Sequence, residues 1–417
     1  MKKNQIRIQE VSDYYKKQIM RRKKFQRAYG ENVVNESMEV SIPMSLDQIK
    51  KFDSLLKKFG GDVNVLLSSD LEEARKQTPE YTKMSSKEIE DLNVVLKIDE
   101  SVLKNVGEFL KLGDVAKGWY SEMNKKILDA FGDSEGTLFL ILLAIYSAGT
   151  PLEKNLTLAA QTYQGIMKDV SDPKTKELFE KFLDTPKIDA FETTFRPPTK
   201  KEISKGKTGP QPRKVIKQDW HELATVRGLV KGNIGVQKNY GNLINILKIW
   251  KNNNYQLDRK FVVKELAKYH RASGDLSKGV PVSATKVFSF TLNLLDPDFV
   301  FESGWVPVTM DTWMAQIYYP NLSTKQRRAI LSKPAGYALM ARKTQELASQ
   351  YGMKPNEFQA AVWVGILKKE KGEGYNATFE NAIDSRLKKL KVKIEELKNV
   401  DNFLKEVIQI IGDAGIN

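Results

Sequence analysis

Apolar and polar positions alternate with a helical period along most of this chain. Leu46-Asp-Gln-Ile-Lys-Lys-Phe-Asp-Ser-Leu-Leu56 places apolar residues three and four apart, with Ser45 as a capping residue and Gly60-Gly61 as a stop. Further helical segments begin near Ser86 and Glu100. The longest apolar run, Thr137-Leu-Phe-Leu-Ile-Leu-Leu-Ala-Ile-Tyr146, is shorter than the roughly 20 residues a bilayer requires, so it predicts a buried helix, with another following from Leu156 to Gln164. Helical stretches are predicted near 219–231, 239–252, 259–271 and 340–370. The last part differs: Leu387, Leu390, Ile394, Leu397, Leu404, Ile408 and Ile411 fall on a heptad stripe interrupted by Asp401. Such a stripe predicts a C-terminal amphipathic helix, packed on its own domain or on an oligomeric or virion partner. No repeat of fixed period is present. The pattern predicts an all-α chain.

Composition narrows the chemistry. The 417 residues include no cysteine and two histidines, which excludes disulfides, thiol nucleophiles and cysteine-held metal clusters. Metal and organic cofactors are not expected, and His221 and His270 are expected to be surface or structural. Lys and Arg number 67 against 52 Asp and Glu, a net +15, which favours a polyanionic partner. The charge is uneven. Residues 1–30 hold ten Lys/Arg against Glu10 and Asp13, with Lys16, Lys17, Arg21, Arg22, Lys23, Lys24 and Arg27 clustered beside Tyr14, Tyr15 and Phe25. This is either a nucleic-acid-binding arm or a solvated terminus.

A second basic stretch lies between Phe195 and Lys217, where eight Lys/Arg face Glu202 alone and Pro197, Pro198, Pro210, Pro212, Gly206 and Gly209 interrupt any helix. It predicts a Pro-rich loop or linker. Lys200, Lys201, Arg213 and Lys214 are its candidate DNA contacts; the alternative is an exposed insertion. The linear order suggests an arm over 1–35, a helical region over 36–125, a core over 126–375 and the amphipathic helix over 376–417.

Three separated segments carry candidate chemistry: Ser147-Ala-Gly149-Thr150 after the apolar helix, Val280-Pro-Val-Ser-Ala-Thr-Lys286 opening another, and Val306-Pro-Val-Thr-Met-Asp311-Thr312-Trp313. Together they resemble the helix-hairpin-helix DNA glycosylase superfamily, the endonuclease III-like base-excision enzymes, in a divergent phage-encoded form. In that family Leu-Ser-Ala-Gln-Thr precedes the hairpin Leu-Pro-Gly-Val-Gly-x-Lys, and Val-Asp-Thr-His follows. Lys286 falls on the family's lysine, Asn293 keeps the usual spacing beyond it, and Asp311-Thr312 match the Asp-Thr pair. Trp119-Tyr120 and Gln359-Ala-Ala-Val-Trp363 are similar to pairs in the phage-encoded proteins. The resemblance covers about residues 130–370, with 170–217 inserted.

The resemblance implies a glycosylase-like helical core with an N-terminal helical extension. It also implies double-stranded DNA as partner, no membrane, and the host cytoplasm or a virion as location. Asp311 would stabilise the positive sugar centre as a base leaves, and Lys286 would attack the sugar and hold it as a Schiff base. Ser283 and Ala284 would face a phosphate. Ser147, Gly149, Trp305 and Trp313, with Phe288, would line a base pocket or fill the emptied stack. Structural roles compete with these: Lys286 as an ordinary helix-start lysine, Asp311 as a helix cap. Departures are visible too. Val282 and Ala284 replace the two hairpin glycines, Gly149 replaces the wedging Gln, and Trp313 replaces His. A non-catalytic DNA-binding or virion-associated protein on the same fold is therefore the alternative.

Overall fold

The computed structural model describes residues 100–416 except 148–149, 205, 228–235, 270–284, 302–305, 332–333, 373–377, 394–396 and 398–401. The basic arm and the Leu46–Leu56 helix lie outside the described residues. So do Gly149, Ser283, Ala284 and Trp305.

The helices are α1 (Glu100–Gly113), α2 (Trp119–Ile145), α3 (Leu152–Ser171), α4 (Pro173–Asp184), α5 (Val236–Asn252), α6 (Arg259–Tyr269) and α7 (Thr285–Leu295), then α8 (Thr324–Leu331), α9 (Pro334–Gln350), α10 (Pro355–Lys371), α11 (Phe379–Leu390) and α12 (Phe403–Ile416). Among the described residues the strands are β1 (Phe191–Arg196) and β2 (Gln211–Ile216), paired antiparallel with Phe191 opposite Ile216 and Arg196 opposite Gln211. Among the described residues the chain is mostly helical, in keeping with the all-α expectation. The 196–217 stretch, expected as a loop or linker, supplies the connecting loop and the second strand of a β-hairpin whose first strand lies just before it. Its prolines sit where a ribbon tolerates them, beyond β1 and at the outer end of β2.

The chain folds into two compact units that cut across its linear order. One gathers residues up to Lys117 with Ala267–Ser289 and Asp298–Glu373; the other gathers Gly118–Leu266, Phe290–Pro297 and Gly374–Asn417.

In the first unit α1 lies against α10 at unusually close range. A Cβ on Gly113 would stand 1.8 Å from the Ala361 carbonyl oxygen, and one on Gly365 would stand 1.9 Å from that of Phe109. Residues 109 and 113 on one helix, and 361 and 365 on the other, are each one turn apart, so the backbones meet along a single face. Phe358, Val362 and Ile366 extend that face into a core shared with Val106, Met314, Met340 and Leu347. The helix expected over 340–370 is two helices. Gly352 adopts a left-handed φ of 65° and Pro355 opens α10.

In the second unit the predicted apolar run forms the buried end of α2, where Leu138–Ile145 are at most 4% exposed. Gly132, at φ 76° and ψ 171°, breaks that helix upstream of the run. Helix α3, with Leu156, Ala159, Tyr163 and Ile166 buried, packs on both α2 and α12, and Phe131, Phe139 and Tyr163 are in mutual ring contact. Near the end of α3, buried Asp169 accepts 2.8 Å hydrogen bonds from Ala224 N–H and Thr225 N–H, capping the helical turn that starts there. Burial, outweighing those bonds, raises the Asp169 carboxyl above the ordinary aspartate range.

The C-terminal stripe is not one helix. Lys391, at φ 60°, ends α11 with a Schellman turn in which Val392 N–H reaches the Leu387 carbonyl, and α12 starts afresh at Phe403. Leu387, Ile408 and Ile411 are fully buried within the second unit.

Candidate functional site

The first unit brings two of the predicted residues together. Lys286 lies in the first turn of α7, and Asp311 follows the buried, irregular segment Val306–Met310. Lys286 Nζ stands 3.8 Å from Asp311 Oδ2, with the two side chains 27% and 18% exposed. The pair is therefore half-sheltered and still open to solvent.

Asp311 also does what a capping aspartate does. Its Oδ1 accepts from Trp313 N–H at 2.9 Å and Met314 N–H at 3.0 Å, opening a short helical turn. The two competing roles are thus divided between the two oxygens: Oδ1 is tied to backbone, and Oδ2 is presented to the lysine.

The segment leading to Asp311 is buried and belongs to no helix or strand, so its backbone polar groups need partners other than a regular ladder. Helix α9 supplies them. Gln345 Nε2 donates to the Val306 carbonyl at 2.9 Å, while Gln345 Oε1 accepts from Val306 N–H at 3.3 Å. Two turns earlier, the Tyr337 hydroxyl donates to the Val308 carbonyl at 2.8 Å and accepts from Met310 N–H at 3.1 Å. That hydroxyl lies 3.1 Å from the hydroxyl of Ser289, one turn along α7 from Lys286. Tyr337 thus ties the helix bearing the lysine to the segment leading into the aspartate. Burial pushes its hydroxyl above the ordinary tyrosine range, so it remains a neutral donor.

Arg327 on α8 adds charge nearby. It is 8% exposed, donates through Nη1 to Gln316 Oε1 at 2.6 Å, and Gln316 passes a 2.6 Å bond to Glu370. Burial lowers its guanidinium below the ordinary arginine value against the opposing pull of Glu370 and Asp311. Trp313, half-buried, has Lys371 Nζ 5.7 Å from its ring centroid.

Other predicted residues fall elsewhere. Ser147 is buried at 7% exposure in the second unit, and Asn293 at 1%. Phe288 is half-buried on α7. Trp119 and Tyr120 each lie 5.9 Å from Phe290 in ring contact, a core role. Gln359 is buried in α10, and Trp363 packs partly buried on the core of the first unit. Lys200, Arg213 and Lys214 are exposed on the hairpin, and Lys201 belongs to the same helical turn as Lys200. Tyr337, Gln345 and Arg327 were not legible as site residues, because each reads in sequence as part of an ordinary amphipathic helix.

Among the described residues no group of three or more His, Asp or Glu could hold a metal ion. No helix among them is long and apolar enough to cross a membrane. Comparisons with protein-family models, with curated proteins and with solved structures returned no match.

Proposed function

We propose that the chain binds double-stranded DNA and cleaves the N-glycosidic bond of a modified or damaged base, with Asp311 and Lys286 at the reacting centre. The observation that carries this is their pairing: side chains from segments far apart in sequence converge at 3.8 Å, with Asp311 Oδ2 left to face the lysine. As the C1′–N bond breaks, the base leaves with the bonding electrons and C1′ becomes electron-poor. A carboxylate held a few ångströms away favours that charge in a partly dry site. Lys286, once its proton has passed to Asp311 or to water, can form the new C1′–N bond. Ring opening then gives an iminium, from which elimination of the 3′-phosphate cleaves the strand. With water as nucleophile in place of the lysine, Asp311 takes the water's proton and no covalent adduct forms.

The half-exposed pair suits a nucleotide turned out of its duplex, which must reach the site from solvent. The second reading, a DNA-binding or virion-associated protein without catalysis, is favoured by Asp311 Oδ1, whose capping bonds give the residue a structural purpose of its own. Duplexes carrying abasic sites or modified bases, incubated with borohydride, separate the two. The expected result is a covalent adduct lost in Lys286→Ala and base release lost in Asp311→Asn. Salt-sensitive binding with neither adduct nor base release for any lesion tested would establish the second reading. For a phage-encoded protein the host cytoplasm is where this chemistry would take place.

A further inference from the structure

The hairpin β1–β2 has the features of a tool and not of a spacer. Its strand register sets Phe195 opposite Pro212, on the same face as the buried root pair Phe191 and Ile216, with Thr193 and Lys214 between. At the outer end Phe195 is 69% exposed, and Ile203 in the connecting turn is 54% exposed. Apolar surface of this size left in water gains from being covered by a partner.

The tip is also held in shape. Arg196 donates to both carboxylate oxygens of Glu202, at 2.8 and 3.0 Å, and Thr199 and Glu202 form a reciprocal capping box around the turn Lys200–Ile203. The Arg196 guanidinium, with help from Thr199, holds the Glu202 carboxyl well below the ordinary glutamate range. Gly206, at φ 81°, closes the turn by donating to the Ile203 carbonyl, and Gln211 donates to the Gly209 carbonyl at 2.8 Å. A pre-shaped tip loses little conformational freedom on binding. Since Arg196 neutralises Glu202, the outward charge comes from Lys200, Lys207, Arg213 and Lys214, all exposed.

We propose that this hairpin enters a groove of duplex DNA as a basic two-stranded ribbon and sets Phe195, backed by Pro212, as an apolar wedge against the base stack. Strands of this length extend about 20 Å at roughly 3.3 Å per residue, and two lie about 4.8 Å apart, a width that a groove of about 12 Å admits. Phe and Pro side chains wedge between base steps in duplexes that proteins bend. A-form RNA has too narrow a major groove for such a ribbon, and a single strand offers no groove. The proposal rests on the DNA-binding part of the function above and not on Lys286 or Asp311.

The test uses the full chain and an undamaged duplex carrying 2-aminopurine. Lys200→Ala, Arg213→Ala and Lys214→Ala combined are expected to lower the slope of log affinity against log salt by about three. Phe195→Ala is expected to keep that slope, to weaken binding about tenfold, and to abolish the rise in 2-aminopurine fluorescence on binding; Phe195→Trp restores both. An unchanged slope in the triple variant overturns the ribbon, as does equal affinity for duplex RNA or an acidic peptide. An unchanged fluorescence rise in Phe195→Ala overturns the wedge. If no lesion is processed yet the hairpin variants behave as stated, the catalytic reading falls and the ribbon stands; base release that ignores the hairpin variants gives the converse.

Discussion

Single side chains in this protein hold backbone that has no regular partner. Asp169 illustrates the cost of doing so: two carboxylate oxygens meet two adjacent N–H groups inside the second unit. Asp169→Asn keeps the shape but turns an NH2 group toward one of those donors. Leaving a buried donor unsatisfied costs about 1–3 kcal/mol, and an unfolding free energy from urea titration lowered by that amount is expected, whereas an unchanged value would mean that the turn at Ala224 is held by other means. Asp311 differs, because its cap uses one oxygen only. An asparagine there can keep Oδ1 in place while removing the charge that faces Lys286, so loss of activity in Asp311→Asn is expected without loss of stability. Lys286 and Asp311 were legible because their residue types and order resemble a family pattern. Tyr337 and Gln345 were not, since what they do depends on an irregular buried segment, Val306–Met310, that no periodicity announces.

At the level of elements, buried helices were the easiest to read and their ends the hardest. Thr137–Tyr146 is apolar on every side and is sealed in the core accordingly. Helices α9 and α10 merged in sequence because apolar residues continue with helical spacing on both sides of Gly352, though that glycine and Pro355 marked the break. The hairpin was hidden for the opposite reason. Lysines and prolines dominate its composition, while the alternation that signals a strand spans only six residues on each side. The contact of α1 with α10 depends on glycine at two positions, and there the close approach decides the outcome. Gly365→Ala would drive a methyl group into the Phe109 carbonyl, and a loss of about 3 kcal/mol, the upper end of overpacking costs, is expected in chemical denaturation. A wild-type midpoint would show that the helices can separate freely at that point.

For the whole molecule, the C-terminal stripe is consumed internally. Leu387, Ile408 and Ile411 are buried within the second unit, so the seam is expected to support folding and not association. Ile408→Ala should cost about 2–5 kcal/mol, with midpoints independent of protein concentration in both variant and wild type. A wild-type midpoint that rises with concentration, and flattens in the variant, would instead identify a subunit interface. The charge has a comparable division: the exposed cations of the hairpin sit in one unit and the Lys286–Asp311 pair in the other.

The discontinuity of the two units bears on how the chain is made. Glu108 pairs with Lys369 across 261 residues of sequence, beside the glycine contacts that join α1 to α10. During synthesis α1 leaves the ribosome long before its partner exists, and most of the second unit's chain, though not α11 and α12, emerges in between. Loops this long close slowly, and the wait exposes apolar helix faces.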